Sequence, residues 1–375
     1  MSAPPGIAVV VPTLGRPEHV EAMLASLAAA AAGYPGPVQV LVVDDSGEPD
    51  AARIRAACAA HPCAEYLRGE ASVRRKRNQG VARAAHPIVL FVDSDCSAAP
   101  DLFHQHARPY ADDAELAGVA GVTEFVGADG PMWRVIQSTQ FLNAFSFARR
   151  MEYVPWATCS NVSYRREVLE RLGGFETSFP FRLGGDDADL GIRVNAAGLR
   201  IRGNPQAVVF HARDTWSGPL KMARRAFRWG RMDLHLYYLR HRDRLAAGLP
   251  RFTTVLALVS AASVVQAVLA RSPLPLALPL LWAALALLAQ AAATAWSAGR
   301  SLRPLPRELM ADLLGLCFEV GTAWEGLRRL DLRPFYLTVR RGPVLPVFQQ
   351  REWVVQQWSM LLALAAALVA LPWLR

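Results

Sequence analysis

Two apolar runs lie close together in the last third of the chain, at residues 252–270 and 274–296. Each is about as long as the roughly 20 residues that an α-helix needs to cross the hydrocarbon core of a bilayer. A third run at 353–374 has the same character and carries three tryptophans at positions typical of membrane interfaces. The sequence therefore predicts three transmembrane helices in a membrane region covering residues 251–375. The alternative is a set of buried helices in a soluble protein.

The charges around these runs favour one orientation in the membrane. The net charge is +9, and arginines cluster after the second run and before the third. A helical stretch at 308–327 contains Asp312, Glu319 and Glu325, which are costly in lipid. If that stretch lies in the membrane interface, the clustered arginines all stay cytoplasmic, as the positive-inside rule prefers. Because the first residues also lack a signal-peptide pattern, we expect a multi-pass protein of the cell (inner) membrane with a cytoplasmic N-terminal domain.

The composition narrows the classes of partner. A basic excess carried almost entirely by arginine suits phosphate groups or an anionic membrane surface. No zinc finger, basic zipper or aromatic RNA-binding pattern is present, so we expect no nucleic-acid partner. The five cysteines show no CxxC spacing, which indicates free thiols in a reducing compartment. Residues 216–250 are basic, aromatic and amphipathic, the pattern of a helical segment lying at a membrane interface.

The first half of the chain alternates short apolar runs with helical patterns. The runs "IAVVVPT", "VQVLVVDDS" and "PIVLFVDSD" are apolar nearly throughout, as strands buried on both faces are. In the segments between them, apolar residues recur at helical spacing. This pattern predicts an α/β domain with a parallel sheet covered by helices on both faces. Ligands of such open sheets bind beyond the carboxyl ends of the strands.

Acidic residues lie at two of these strand ends. Asp44 and Asp45 end one apolar run, and Asp93 and Asp95 end a later one. Two aspartates at i and i+2 can direct their oxygens at one hard cation, and Mg²⁺ or Mn²⁺ held in this way usually also binds phosphate oxygens. The alternative for the second pair is a chance DxD in a loop. The alternative for the first pair is a helix cap or a turn.

Another acidic cluster follows two glycines in the stretch "RLGGDDADLGIR". Asp186 and Asp187 are adjacent, so each disfavours the ionised form of the other. Asp189 falls in the first turn of the helix that this pattern predicts, where a negative charge suits the helix dipole. Because Arg193 follows Asp189 at i+4, we expect both residues to be structural.

Six blocks of the sequence together resemble family 2 glycosyltransferases with a GT-A fold. They are "VVVPTLGRPEHVEAMLASL", "VQVLVVDDS", "RKRNQGVARAA", "PIVLFVDSD", "CSNVSYRREVLERLGGFE" and "GGDDADLGIRVNAAG". The resemblance extends over residues 6–215. It implies a GT-A (nucleotide-diphospho-sugar transferase, Rossmann-like) catalytic domain at 1–215, followed by C-terminal transmembrane helices.

The resemblance also implies a nucleotide-sugar site. Asp44 and Asp45 resemble the aspartates that bind the base and ribose, and Arg77 resembles an arginine that contacts the diphosphate. For the neighbouring basic run 74–76, a solvated helix face is the alternative. The residues of these blocks to which the resemblance gives a role in donor binding are Pro12, Asp44, Asp45, Arg77, Asp93 and Asn161.

A metal site and a catalytic base are implied in the same way. Asp93 and Asp95 look like the family's DxD motif, with Asp95 the more direct ligand of Mg²⁺ or Mn²⁺. His211 follows an apolar run, where related enzymes place a histidine that completes the metal site; a structural histidine is the alternative. Asp187 matches the base that takes the proton from an acceptor hydroxyl. Its neighbour Asp186 stands where the family usually has Glu.

The segment "RAFRW", Arg225 to Trp229, resembles the QxxRW motif of membrane-embedded relatives that elongate polysaccharides, with Arg in place of Gln. In that interpretation Trp229 stacks on an acceptor sugar and Arg228 pairs with the diphosphate. The alternative is an interfacial helix that is anchored by Trp229 and directs its arginines to lipid headgroups.

The function predicted from these features is that of an inverting, metal-dependent hexosyltransferase. A sugar would pass from a nucleotide-diphosphate donor, expected to be a UDP-sugar, to a hydroxyl of a membrane-associated or lipid acceptor. One alternative is a polyprenyl-phosphate sugar synthase, whose anionic acceptor has less need of a base. Another is a membrane protein that binds nucleotide sugars without turnover. A sugar nucleotidyltransferase is disfavoured because its glycine-rich basic loop is absent.

Overall fold

The computed structural model describes residues 4–181, 184–248, 251–297 and 305–339, with a few positions between 357 and 365. The chain divides into two compact units. The first unit comprises Met1–Ala128 and Leu142–Thr215, and the second comprises Asp129–Phe141 and Trp216–Arg375. The division at residue 215 falls where the sequence changes character. Segment 129–141, which the domain prediction of 1–215 included, belongs to the second unit.

The elements within the described ranges are numbered here in chain order. The strands are β1 Ile7–Thr13, β2 Val38–Asp44, β3 Ala64–Arg68, β4 Ile88–Val92, β5 Cys96–Ala98, β6 Leu116–Val126, β7 Asn161–Arg165, β8 Arg200–Ala212, β9 Leu245–Ala247 and β10 Leu337–Val339. The α-helices are α1 Pro17–Ala32, α2 Asp50–Ala59, α3 Val73–Arg83, α4 Leu102–Asp112, α5 Pro131–Ser138, α6 Arg166–Arg171, α7 Asp186–Ala196, α8 Pro219–Asp233, α9 Phe252–Ala270, α10 Leu278–Ser297 and α11 Leu305–Arg328.

The first unit is built on an eight-stranded sheet in the order β3-β2-β1-β4-β7-β6-β8-β5. The three predicted strands β1, β2 and β4 are parallel, as expected, and β3 joins them in the same direction. The rest of the sheet is mixed, because β7 runs antiparallel to β4 and β6, and β5 runs antiparallel to β8. An apolar run shows that a strand is buried on both faces but carries no information about its direction.

Both faces of this sheet are covered, because side chains alternate across each strand. In β1, Ile7, Val9 and Val11 pack into one hydrophobic cluster, while Ala8 and Val10 pack into another on the opposite face. All five are completely buried. The apolar β1 run therefore contributes to two cores at once, and polar side chains are left for the ends of the strands.

One edge of the sheet collects the ends of several strands. Strands β1, β2 and β4 end there at Thr13, Asp44 and Val92. The antiparallel strand β7 begins at the same edge, because Asn161 pairs with Val92. Near the end of β8, His211 pairs with Cys96 of β5. Residues far apart in the sequence therefore meet at this edge.

The second unit contains, among its described residues, two helices long and apolar enough to cross a membrane. They are Phe252–Ala270 and Leu274–Thr294, and little of either is buried. The first coincides with the predicted span at 252–270. The second begins with a 3₁₀ turn and continues as α10, close to the predicted 274–296. Most of the predicted third span, 353–374, lies outside the described residues.

Helix α11 includes the predicted interfacial stretch at 308–327. Its Glu325 is 4% exposed and accepts hydrogen bonds from Arg231 and Arg329, with His235 a further partner at 3.2 Å. One turn earlier on the same face of α11, Thr322 Oγ1 donates to the carbonyl oxygen of Gly230 at 2.9 Å. A close approach of α8 and α11 and a compensated carboxylate therefore explain how an acidic residue is buried here.

Candidate active site

Asp95 lies at the centre of a polar cluster where β4 gives way to β5. Its side chain is 8% exposed, and Oδ2 accepts a hydrogen bond from Arg16 Nη1 at 2.8 Å. Its Oδ1 lies 3.3 Å from Nε2 of His211. The strand pairing of His211 with Cys96 creates this arrangement, because it brings the end of β8 beside the residue that follows Asp95.

The hydrogen bonding of His211 makes it suitable as a metal ligand. Its Nδ1 lies 2.9 Å from the carbonyl oxygen of Ala212, and a carbonyl can only accept, so Nδ1 carries the hydrogen. With Nδ1 used in this way, Nε2 is the ring nitrogen that faces a carboxylate oxygen of Asp95, and it is the one that would coordinate a cation held between the two side chains. Ligand atoms of Asp95, Cys96 and His211 all lie within 4.8 Å of one another.

The donor set at this cluster fits a hard divalent cation. Burial raises the pKa of the Cys96 thiol well above its usual value, which keeps it protonated and a poor ligand. A carboxylate oxygen from Asp95 and an imidazole nitrogen from His211 remain, and Mn²⁺ or Mg²⁺ would complete its shell with phosphate oxygens and water. Asp93 falls outside the Asp95–Cys96–His211 group, so its role as a ligand stays a prediction.

Arg77 of α3 connects two acidic positions of the site. Its Nη1 forms an ion pair with Asp186, and its Nη2 lies 3.5 Å from Oδ1 of Asp93. The side chains of Arg77 and Asp186 are 8% and 3% exposed. The DxD segment and the start of α7 are therefore held together by one buried guanidinium. The structure thus brings Asp93, Asp186 and Arg77 together, and the roles that the resemblance implies for them stay predictions.

Asp187, the predicted base, is less buried than its neighbour Asp186. Its Oδ1 accepts a hydrogen bond from the backbone N–H of Ala188 at 2.9 Å. Desolvation, and then the charge of Asp186, raise the pKa of Asp187 to about 7, against the opposing influence of Arg77. A carboxyl group in this state takes up and releases a proton near neutral pH, which is what a general base requires. For Asp93, desolvation also raises the pKa, partly offset by Arg77.

The interpretation of run 74–76 as a solvated helix face is wrong for two of its three residues. Arg74 is 1% exposed and donates from Nη2 to the carbonyl oxygen of Gly184 at 2.5 Å. Lys76 is 5% exposed, donates to the carbonyl oxygen of Thr13 at 2.6 Å and pairs with Asp45. Arg75 alone is exposed. The sequence did contain a signal for the burial of Arg74, because residues 74, 77 and 81 fall on one face at helical spacing and Val81 is apolar.

The two aspartates that end β2 differ in their availability to a ligand. Asp44 is completely buried, and its oxygens accept from the backbone N–H of Ser46 at 3.1 Å and from the Tyr66 hydroxyl at 3.1 Å. Asp45 pairs with Lys76, and its backbone is partly exposed. The internal hydrogen bonds of Asp44 hold the turn that follows β2, and the contacts of Asp44 and Asp45 with the base and ribose stay predictions.

Pro12 and Asn161 are both buried at the site edge. Pro12 pairs with Val43 of β2, beyond the point where pairing of β1 with β4 ends at Val10. Both amide hydrogens of Asn161 are used within the protein, by the carbonyl oxygens of Val122 and Ala207 at 2.9 Å each, and its oxygen lies 2.8 Å from His106. The side chain of Asn161 therefore ties β6, β7 and β8 together, and its role in donor binding stays a prediction.

Arg228 and Trp229 lie on α8 in the second unit. Arg228 is exposed, and Nε donates to the carbonyl oxygen of Arg224 at 3.3 Å. Trp229 packs edge-on against Phe141 at 5.2 Å between ring centroids. The arginine that replaces the usual Gln, Arg225, lies 4.5 Å above the ring of Trp216. The "RAFRW" segment is thus part of an aromatic cluster, and its contacts with donor and acceptor stay predictions.

Sequence reasoning missed Arg16, which contacts Asp95 directly. Arg16 lies at the start of α1 with φ 57°, in the left-handed region that residues other than glycine rarely adopt. The sequence "LGRPE" indicates that Pro17 opens a helix, but a residue before proline usually takes an extended conformation. The left-handed Arg16 and its contact with Asp95 therefore had no signal in the sequence.

Comparison with known proteins places this site in a family context. A family profile described as "Glycosyltransferase like family 2" matches residues 4–231. An N-acetylglucosaminyltransferase of Rhizobium sp. (strain N33) is 30% identical over 264 residues, covering 67% of this chain and 57% of that protein. An O-antigen biosynthesis protein of Myxococcus xanthus is 31% identical over 154 residues, covering 36% of this chain and 12% of that protein. The chain thus spans less than two thirds of the length of either relative.

A solved structure supports the fold assignment. The mannosyltransferase from Pyrobaculum calidifontis in complex with GDP-Man and Mn²⁺ matches with a TM-score of 0.51 at 21% identity, covering 86% of this chain and 88% of that chain. This likeness confirms the predicted GT-A-type α/β fold.

Proposed function

The chain belongs to the family 2-like glycosyltransferases, and from that premise we propose that it is an inverting, metal-dependent sugar transferase. The donor is a nucleotide-diphosphate sugar and the acceptor a hydroxyl group on a membrane-associated or lipid molecule. The observation that carries the proposal is the link from Asp93 through Arg77 to Asp186, next to Asp187. It joins the position of a leaving diphosphate to the position of a proton acceptor.

The two ends of this chain of contacts suit the two parts of a displacement reaction, which are departure of the diphosphate and removal of the acceptor proton. Asp95 and His211 are the residues that would hold a divalent cation, which when bound neutralises charge on a departing diphosphate. Arg77 adds a fixed positive charge between Asp93 and Asp186. Positive charge placed before the reaction lowers the barrier without reorganisation during it.

Asp187 would act as the general base. It accepts the proton of the acceptor hydroxyl while that oxygen attacks the anomeric carbon from the side opposite the diphosphate. The C–O bond to the acceptor forms as the C–O bond to the diphosphate breaks, so the configuration inverts in one step. Arg77 pairs with Asp186 and not with Asp187, which leaves the carboxylate of Asp187 with a raised pKa for proton uptake.

The proposed donor follows from the similar proteins, and the proposed acceptor follows from the apolar helices. The names of similar proteins refer to N-acetylglucosamine transfer and to GDP-Man, so a UDP-sugar is proposed first and a GDP-sugar second. Two helices that could cross a membrane support an acceptor held at the bilayer. We further propose that the first unit is cytoplasmic, that the protein is anchored in the cell membrane and that it acts in the cell envelope.

We expect transfer activity to fall as pH is lowered through neutrality. Ionised Asp187 accepts a proton and protonated Asp187 does not, so kcat/KM should fall about tenfold per pH unit below a pKa near 7. In Asp186→Asn the neighbouring charge is lost, which lowers the pKa of Asp187 and moves the acid limb to lower pH. The profile of kcat/KM between pH 5 and 9 measures both effects. Glu170→Gln, at an exposed position on α6, serves as the control and should leave the limb in place.

Release of nucleoside diphosphate by the detergent-solubilised protein tests the function directly. A panel of UDP-, GDP- and dTDP-sugars is combined with membrane lipid extract and with Mn²⁺, Mg²⁺ or EDTA. We expect release to require one donor class, the lipid extract and a divalent cation. Product attached to polyprenyl phosphate would favour the synthase alternative, whereas donor binding without release for any acceptor would refute catalysis.

A further inference from the structure

Arg16 already occupies one side of the carboxylate that the metal needs. Its Nη1 lies 2.8 Å from Oδ2 of Asp95, while Oδ1 of the same group faces His211 at 3.3 Å. The Arg16 side chain is 42% exposed, and that of Asp95 is 8% exposed. The carboxylate of Asp95 is therefore almost entirely covered, and the two groups that face its oxygens are His211 and the positively charged guanidinium of Arg16.

The backbone holds Arg16 in this place. Gly15 and Arg16 are both left-handed, with φ of 65° and 57°, and such a conformation is unfavourable for arginine unless its surroundings impose it. The turn formed by Gly15 and Arg16 between β1 and α1 is called the corner here. The N–H of Gly15 donates to Oγ of Ser46 at 2.6 Å, which fixes the corner to the end of β2. His19, one turn into α1, lies 3.1 Å from a carboxylate oxygen of Asp214, just beyond β8. The corner is thus fastened on two sides.

From this geometry we propose that Arg16 competes with the divalent cation for Asp95, so that the cation binds tightly only together with the nucleotide diphosphate. The inference rests on the proposed function. A guanidinium and a divalent cation repel each other when both lie against one carboxylate. The diphosphate of a donor brings negative charge that pairs with both cations, and guanidinium groups bind phosphate oxygens well. Arg16 is then a positioning residue that orders the binding of metal and donor.

The two binding affinities should change in opposite directions when Arg16 is replaced. In Arg16→Gln the competing charge is gone, so Mn²⁺ alone should bind about two- to fivefold more tightly, the range for a partly exposed ion pair. The same variant has lost a partner for the diphosphate, so UDP or GDP should bind several-fold more weakly at saturating Mn²⁺. A purely structural role for Arg16 would weaken both affinities, because a disordered corner would disturb the whole site.

The experiment uses the full-length protein in detergent. Electron paramagnetic resonance of free Mn²⁺ gives the metal affinity without nucleotide, and calorimetry gives the UDP and GDP affinities with Mn²⁺ present. Arg16→Lys keeps the charge and should stay near the wild-type values. Arg53→Gln, which removes an exposed arginine paired with Glu21 between α1 and α2, is the matched control and should change neither affinity.

The outcomes separate this inference from the proposed metal site. Loss of Mn²⁺ binding in Asp95→Asn, with tighter binding in Arg16→Gln, supports both. Asp95-dependent binding that is unchanged or weaker in Arg16→Gln overturns the competition and leaves the metal site standing. Mn²⁺ binding that is unaffected by Asp95→Asn overturns the metal site itself and, with it, the role of Arg16.

Discussion

Asp187→Asn is expected to lower kcat by about 100- to 10,000-fold, the usual contribution of a general base, while the affinity for the donor stays near that of the wild type. Asparagine has the shape of aspartate and keeps an oxygen that can accept from the N–H of Ala188, so the start of α7 should stay intact. Thermal stability at pH 8 should not fall, because an ionised carboxylate with a raised pKa is unfavourable in the folded state. Initial rates, donor titrations and melting temperatures measure these three quantities.

Asp189→Asn provides the contrast on the same helix turn. Asp189 is completely buried and accepts from Arg193 Nε at 2.8 Å, as the sequence predicted for a structural pair. Its replacement should lower the melting temperature while the folded protein keeps most of its kcat. Equal losses of kcat in Asp187→Asn and Asp189→Asn would argue that both act through the stability of α7. A small loss in Asp187→Asn alone would favour a phosphate acceptor, which is already an anion and needs little proton removal.

Arg77→Met is expected to be the most destabilising single change at the site. It removes the closer of the two cations that face the buried Asp186 and leaves only Arg74, whose Nε lies 3.8 Å away. Breaking a buried pair from one side costs about 3–5 kcal/mol, and Arg74 should hold the loss near the lower end of that range. Activity should fall as well, since Asp93 loses the same guanidinium. The double variant Arg77→Met/Asp186→Asn removes both charges, so it should unfold at a higher temperature than the sum of the single effects implies.

Thermal unfolding of the four proteins in one detergent measures this coupling. Arg83→Met, on the same helix α3, removes an exposed arginine paired with Glu65 at 2.9 Å and should cost no more than about 1 kcal/mol. Additive effects of Arg77→Met and Asp186→Asn would contradict the assignment of their ion pair as the contact that holds α3 to the start of α7.

The sequence predicted the fold correctly where a residue pattern is compatible with only one local structure. Apolar runs marked β1, β2 and β4, and the acidic residues that follow them reached one edge because parallel strands end together. The direction of a strand could not be predicted in this way, because a run such as β7 has the same pattern whether the strand is parallel or antiparallel to its neighbours. The carboxylates were identified from the sequence. The sequence left open whether Arg74 and Lys76 form a solvated face, because their burial depends on carbonyl groups supplied by distant segments.

Two further differences have related causes. Asn161 lies in a block that the family uses at its donor site, yet its side chain is consumed by carbonyl groups of β6 and β8 that no local pattern announces. Helix α5 belongs to the second unit although it lies between two strands of the first. Both features depend on contacts between residues that are far apart in the sequence, and such contacts cannot be predicted from a single sequence.

The reversed direction of β7 has a consequence for how such a molecule can change. Because β7 starts at the edge where β4 ends, the long connection between β6 and β7 both leaves the sheet for α5 and returns at the site. The carboxylates to which we assign chemical roles in the proposal lie on other connections, after β4 and at the start of α7. Segment 127–160 also packs on α7, where Asn195 Nδ2 donates to the carbonyl oxygen of Pro155 at 2.8 Å. A change in this long connection is therefore transmitted to the helix that begins with Asp186 and Asp187.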